Sequence, residues 1–209
     1  MMKQALLAIS FTLTAVAAGV IDRVAVVVGN QVITESEVLL EVRLTEFFNG
    51  QPLDLAADQR KAAAERLVDQ QLIRNEMQIG GYPMPAKSEG EAALRKFQRE
   101  NYPGIPAFRA ALEEHGLTED EVKRHLLWQA AAMRFTDLRF HMAIAAPAAP
   151  STDQLQSANR ASPVAPSPSA GRSPSADGST DTAVEDQMEV WLKEARSNTR
   201  IQFKKGAFQ

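Results

Sequence analysis

The side chains best suited to moving protons or holding a metal are three histidines, His115, His125 and His141. They do not form a metal-ligand pattern, and His125 and His141 share one expected helix at a spacing that points them in different directions. The chain has no cysteine, so a thiolate nucleophile, a thiolate zinc ligand and a disulfide are all excluded. No glycine-rich phosphate loop, serine elbow or zinc motif is present. Glu113-Glu114 and Glu119-Asp120-Glu121 are paired acids. They fit a solvated helix end and favourable charges in a helical first turn better than general acid–base pairs. The histidines are expected to be ordinary surface or boundary residues. No catalytic residue, cofactor or metal is expected, and binding is favoured over catalysis.

The chemistry that remains is adhesion. Met77, Trp128, Met133 and Phe135 are the candidate binding residues from helical phase, because adaptable methionines and aromatics on a partly exposed groove suit many partners. The competing expectation places the same four side chains in the core, beneath a C-terminal helix.

These residues sit in a chain of ordinary globular composition. The formal net charge is −3 with the two signs interleaved, so no nucleic-acid footprint and no polybasic membrane patch is expected. Residues 1–19 read as a cleavable secretory signal: Lys3 is a positive start, residues 5–16 are mostly apolar, and Ala15-Val16-Ala17-Ala18 supplies small residues for cleavage. The apolar run is too short to span a bilayer, and no second one follows. The mature protein is therefore expected to be soluble, without a membrane span, and outside the cytoplasm. Residues 145–183, rich in Pro, Ser and Ala and poor in large apolar side chains, are expected to be a disordered linker.

The elements around the candidates are mainly helical. Val20 to Val28 and Val32-Ile33, separated by Gly29-Asn30-Gln31, predict a β-hairpin. Thr34-x-x-Glu37 has capping-box spacing and starts a helix running to about Phe48. A second helix is expected from Asp54 or Ala57 to Ile79, with Ala64, Leu67, Val68, Leu72 and Ile79 on one stripe and Ile73 and Met77 nearly opposite. A helix apolar on two sides is usually packed centrally. Further helices are predicted over residues 86–100 and 107–115. A long one follows from Thr118 to about Met142, with Val122, Leu126, Ala130, Met133 and Phe140 on one face and Trp128 and Phe135 on another. After the linker, Val184, Met188, Trp191, Leu192 and Ala195 mark an amphipathic helix. Residues 200–204 then alternate as a half-buried strand does, as if to extend the Val24–Val28 hairpin.

The string from Ile21-Asp22-Arg23-Val24 through Val28-Gly29-Asn30-Gln31-Val32-Ile33-Thr34-Glu35-Ser36-Glu37-Val38 resembles the opening hairpin and first helix of the SurA-type periplasmic chaperones. Arg66-Leu67-Val68-Asp69-Gln70-Gln71-Leu72-Ile73 is similar to that family's central helix, and Trp191-Leu192-Lys193-Glu194-Ala195-Arg196 with Ile201 to its closing helix and strand. The resemblance implies an N-terminal helical chaperone domain, residues 20–144, with a closing segment, residues 184–209, packing back on it. It also implies unfolded exported polypeptides as partners, outer-membrane proteins among them. Members of the family normally carry one or more parvulin-type prolyl isomerase domains before the closing helix. Here only the linker occupies that place, and it is too short and too polar to build one, so isomerase activity is not carried over. The alternative is a structural or scaffold subunit of an envelope complex that holds one fixed partner. A third possibility, an isomerase whose catalytic domain comes from another protein, has no positive sign. Client identity and oligomeric state stay open.

Overall fold

The computed structural model describes residues 22–141 and 177–208. The expected signal and the expected linker up to residue 176 lie outside the described residues.

The chain opens with two antiparallel strands, β1 (Val24–Val28) and β2 (Gln31–Thr34). Gly29, at φ 59°, takes the positive φ that the tight turn between them requires. The register shifts between Val24 and Val26, an irregularity that leaves both Ala25 and Val26 fully buried where strict alternation would bury only one. Thr34 then caps α1 (Glu35–Asn49): its hydroxyl accepts from the Glu37 amide at 3.3 Å, and the Glu37 carboxylate accepts from the Thr34 amide at 2.8 Å. The same box, built by Thr118 and Glu121, opens α5 (Glu119–Thr136). Between them lie α2 (Ala57–Gly80), α3 (Lys87–Asn101) and α4 (Ile105–His115).

The closing segment forms α6 (Asp177–Asn198) and β3 (Ile201–Phe203). β3 pairs antiparallel with β1, giving the sheet order β2-β1-β3 with the first strand in the centre. The Gly29 amide donates to the Arg200 carbonyl and the Lys204 amide to the Ala25 carbonyl, both at 2.9 Å. The protein is thus mainly helical with a small N-terminal sheet, as expected. Helix α6 begins at Asp177 instead of near Val184, inside the stretch read as linker. Once the apolar stripe is docked, adding helical turns ahead of it needs no new nucleation.

Three apolar clusters hold these elements together. One lies beneath the sheet and joins Val26, Val28 and Ile33 to Val38 and Val42 of α1 and to Ala64, Val68 and Leu72 of α2. A second, between α1, α3 and α4, is aromatic, with Phe47 and Phe108 at its centre. In the third, Ile73 and Met77 of α2 meet Ala131, Phe135 and Phe140, and Val184 of α6 lies over them. Helix α2 serves the first and third clusters with opposite faces, which is why its sequence is apolar on two sides. Arg196 pins α6 to α2, donating to Asp69 Oδ1 at 2.6 Å, Glu65 Oε2 at 2.7 Å and the Glu65 carbonyl at 3.1 Å.

Two expected stripes need correction. Ile79 is 84 % exposed, and Gln78 and Gly80 beside it in the last turn of α2 are exposed too. On α5, Met133 is 68 % exposed while Ala131 and Phe135 are fully buried. The helix does not continue unbroken to Met142: a π-helical turn, Asp137–His141, follows Thr136 and changes the phase, so that Phe140 returns to the core.

Candidate functional site

A trough runs across α1, α2 and α5 as three recesses that share lining residues. The end nearest the hairpin is bordered by Val32, Leu40 and Arg43, and it shares Glu37, Leu40 and Glu121 with a central recess of about 270 Å³. The central recess shares Arg74 and Trp128 with an apolar one of about 380 Å³, lined also by Met77, Gln78, Gly81, Tyr82 and Met84. Two apolar groups at the opposite ends of the trough stand in solvent, Val32 at 53 % and Met84 at 63 %.

The positions follow from local chemistry. The αL glycine Gly81, at φ 64°, ends α2, and the Pro83–Pro85 connector holds Tyr82 and Met84 beside Met77. The Tyr82 ring meets Phe135 edge-on at 5.0 Å, which anchors the wall of the apolar recess to the third cluster. Arg74 lays its guanidinium over Trp128, 4.3 Å from the ring centroid, and donates to Gln70 Oε1 at 3.3 Å.

Beneath the central recess lies Glu41, 5 % exposed, whose carboxylate accepts from Arg66 Nε at 3.3 Å and Gln70 Nε2 at 3.2 Å. Burial raises its pKa, and Arg66 and Gln70 only partly oppose that. Part of Arg74 remains in solvent, yet enough protein surrounds its guanidinium to lower its pKa, against the opposing pull of Glu41 and Glu37. His125 stacks on Phe48 with centroids 4.9 Å apart, and its Nε2 lies 3.1 Å from Gln129 Nε2. Burial first, and the nearby Arg74 charge second, push the His125 pKa down to about 4.

A neutral His125 has a measurable consequence. From its depressed value of about 4 up to the ordinary 6.5, the unfolded chain binds a proton that the folded chain refuses. This residue's contribution to stability therefore rises with pH through that window and is flat above it. Glu41 acts with the opposite sign just above the ordinary carboxyl range of 4.5, since a raised carboxyl pKa favours the folded state at low pH. An NMR titration should find the His125 ring neutral at pH 6. His125→Phe should reduce the gain in stability between pH 4 and pH 6.5, and an unchanged pH profile would contradict the assignment.

The structure separates the four expected binding residues. Trp128 lines two recesses of the trough and is half-buried. Met77 also lines the apolar recess, but at 4 % exposure it contributes mostly core. Phe135 is wholly enclosed, so it supports the site without presenting surface to a partner, and Met133 stands in solvent on a face apart from Phe135. The sequence reading missed Arg74, Tyr82 and Met84 and treated His125 as ordinary. The Gly-Gly-Tyr-Pro-Met-Pro connector was a visible sign of a stiff wall. The meeting of Arg74 with Trp128 was not visible, because it depends on how α2 packs against α5. Among the described residues no group of His, Asp and Glu could hold a metal ion, and no helix is long and apolar enough to cross a membrane.

Compared with known proteins, the chain matches no family model and no curated protein.

Proposed function

We propose that this protein is a periplasmic chaperone-like protein that binds unfolded or partly folded exported polypeptides, outer-membrane proteins among them, in the trough across α1, α2 and α5, without an isomerase domain of its own. The observation that carries the reading is the trough itself: a run of adjoining open recesses, walled by Trp128, Tyr82 and Met84, and interrupted by polar groups that would let a bound chain slide or re-pair. The return of β3 to the first hairpin supports it, since that arrangement is what the resemblance to SurA-type chaperones implies. Residues 1–19, read as a secretory signal, are the basis for placing the protein outside the cytoplasm.

The test is a binding panel of unfolded outer-membrane β-barrel proteins and unrelated unfolded chains. Broad micromolar affinity, weakened about tenfold by Trp128→Ala in a protein that still unfolds cooperatively, is the expected outcome. One tight partner and no general binding would instead favour a scaffold subunit of an envelope complex.

A further inference from the structure

The ionisable groups of the trough are unequally committed. Glu37 and Glu121 each close a capping box, and Glu41 accepts from Arg66 and Gln70. All three acids therefore already have internal donors. Arg74 differs: it uses one N–H on Gln70 and one flat face on Trp128, and among the described residues no carboxylate comes within ion-pairing distance of it. A guanidinium carries five N–H donors in a planar fork, so most of its hydrogen-bonding capacity is unused inside the protein.

Its position gives that capacity a direction. Of the residues around the apolar recess, Arg74 alone is charged at neutral pH, and no acid lines that recess. A ligand filling it with an apolar side chain brings its next polar group toward a cation that is partly removed from water, where a charge-assisted bond is stronger than in bulk solvent. Arg74 and Trp128 also line the central recess, so the cation is shared by both recesses and is reachable from either side.

We infer that the trough prefers an extended polypeptide segment in which an internal Asp or Glu follows an apolar or aromatic residue at the second position, with the apolar side chain among Met77, Tyr82, Met84 and Trp128 and the carboxylate on Arg74. The spacing comes from strand geometry: residues i and i+2 of an extended chain face the same side, roughly 6.6 Å apart. This inference rests on the chaperone reading and names the kind of segment its groove selects. The bland role of Arg74, packing over Trp128, would leave affinity indifferent to the ligand's charge.

The experiment uses short fluorescein-labelled Ser/Thr host peptides with amidated C-termini, titrated into the full chain by fluorescence anisotropy. Phe-Thr-Asp should bind about tenfold more tightly than Phe-Thr-Asn. Arg74→Gln should bring the two peptides to equal affinity, whatever it does to the affinity they share. Arg74→Lys should keep part of the difference. Equal binding of the Asp and Asn peptides to the unmodified protein would overturn the inference, as would a preference for Asp that survives Arg74→Gln. Tighter binding of a peptide whose only carboxylate is a free C-terminus would overturn the choice of an internal acid. Each of these leaves general binding of unfolded chains intact, whereas failure of the chaperone reading would appear as no binding to any unfolded client.

Discussion

Removal of residues 184–209 should leave the remaining chain without a cooperative unfolding transition at room temperature. The expectation follows from where the closing segment sits. It supplies Ala207, Ala195, Ile201 and Phe208 to the cluster beneath the sheet, and Val184, Met188, Trp191 and Leu192 to the cluster around Phe135. It also pairs with the central strand, so its loss would leave one side of β1 unpaired while Val26 and Val28 depend on staying buried. Each large apolar side chain, fully buried, contributes about 1.5–3 kcal/mol. Several of these are only half-buried, but their sum with the lost ladder is still comparable to the ~5–15 kcal/mol by which a domain is stable. The measurement is thermal or urea unfolding followed by far-UV circular dichroism. A synthetic peptide covering residues 177–209, added back, should restore the transition. A truncated protein that melts cooperatively near the original temperature, but no longer binds unfolded chains, would make the segment a detachable binding element.

The second large effect concerns Phe135. Phe135→Ala should cost about 3–5 kcal/mol, the range for removing a fully enclosed aromatic ring. The ring is 0 % exposed and touches Tyr82 at 5.0 Å, Trp191 at 5.5 Å and Phe140 at 6.1 Å between centroids. It therefore joins α5, α6, the π-helical turn and the connector after α2. Were Phe135 a surface residue for clients, the same substitution would change stability by only about 0.5 kcal/mol. Urea unfolding separates the two by the midpoint at constant slope. Phe135→Leu, which keeps much of the volume, should lose clearly less. A secondary effect should follow, since the Tyr82 wall of the apolar recess rests on this ring: client binding should weaken in Phe135→Leu even where the fold survives.

Both results bear on how much of the molecule was legible beforehand. Local elements were, because their signals are local. The Thr34/Glu37 and Thr118/Glu121 boxes, the β-branched run before Gly29 and the apolar stripe from Val184 to Ala195 each act within a few residues of chain. The return of the last strand to the first was expected from the resemblance and from its alternation, and β3 does pair with β1.

What failed was phase over distance. Met133 and Phe135 lie two residues apart on one helix, and periodicity alone could not decide which of them faced inward. Packing of α5 against α2 and α6 decided it, and the π-helical turn then reset the register so that Phe140 also turned inward.

By itself, then, the sequence determined where the helices lie, the Thr34 and Thr118 caps, the hairpin and the amphipathic tail, because capping, backbone preference and hydrophobic periodicity are properties of neighbouring residues. Only the tertiary structure decided which apolar side chains became core and which became trough, and that Arg74 would lie on Trp128. Those outcomes depend on the crossing of α2 and α5, and a contact between two helices is set by the fit of their whole faces and not by any short stretch of either.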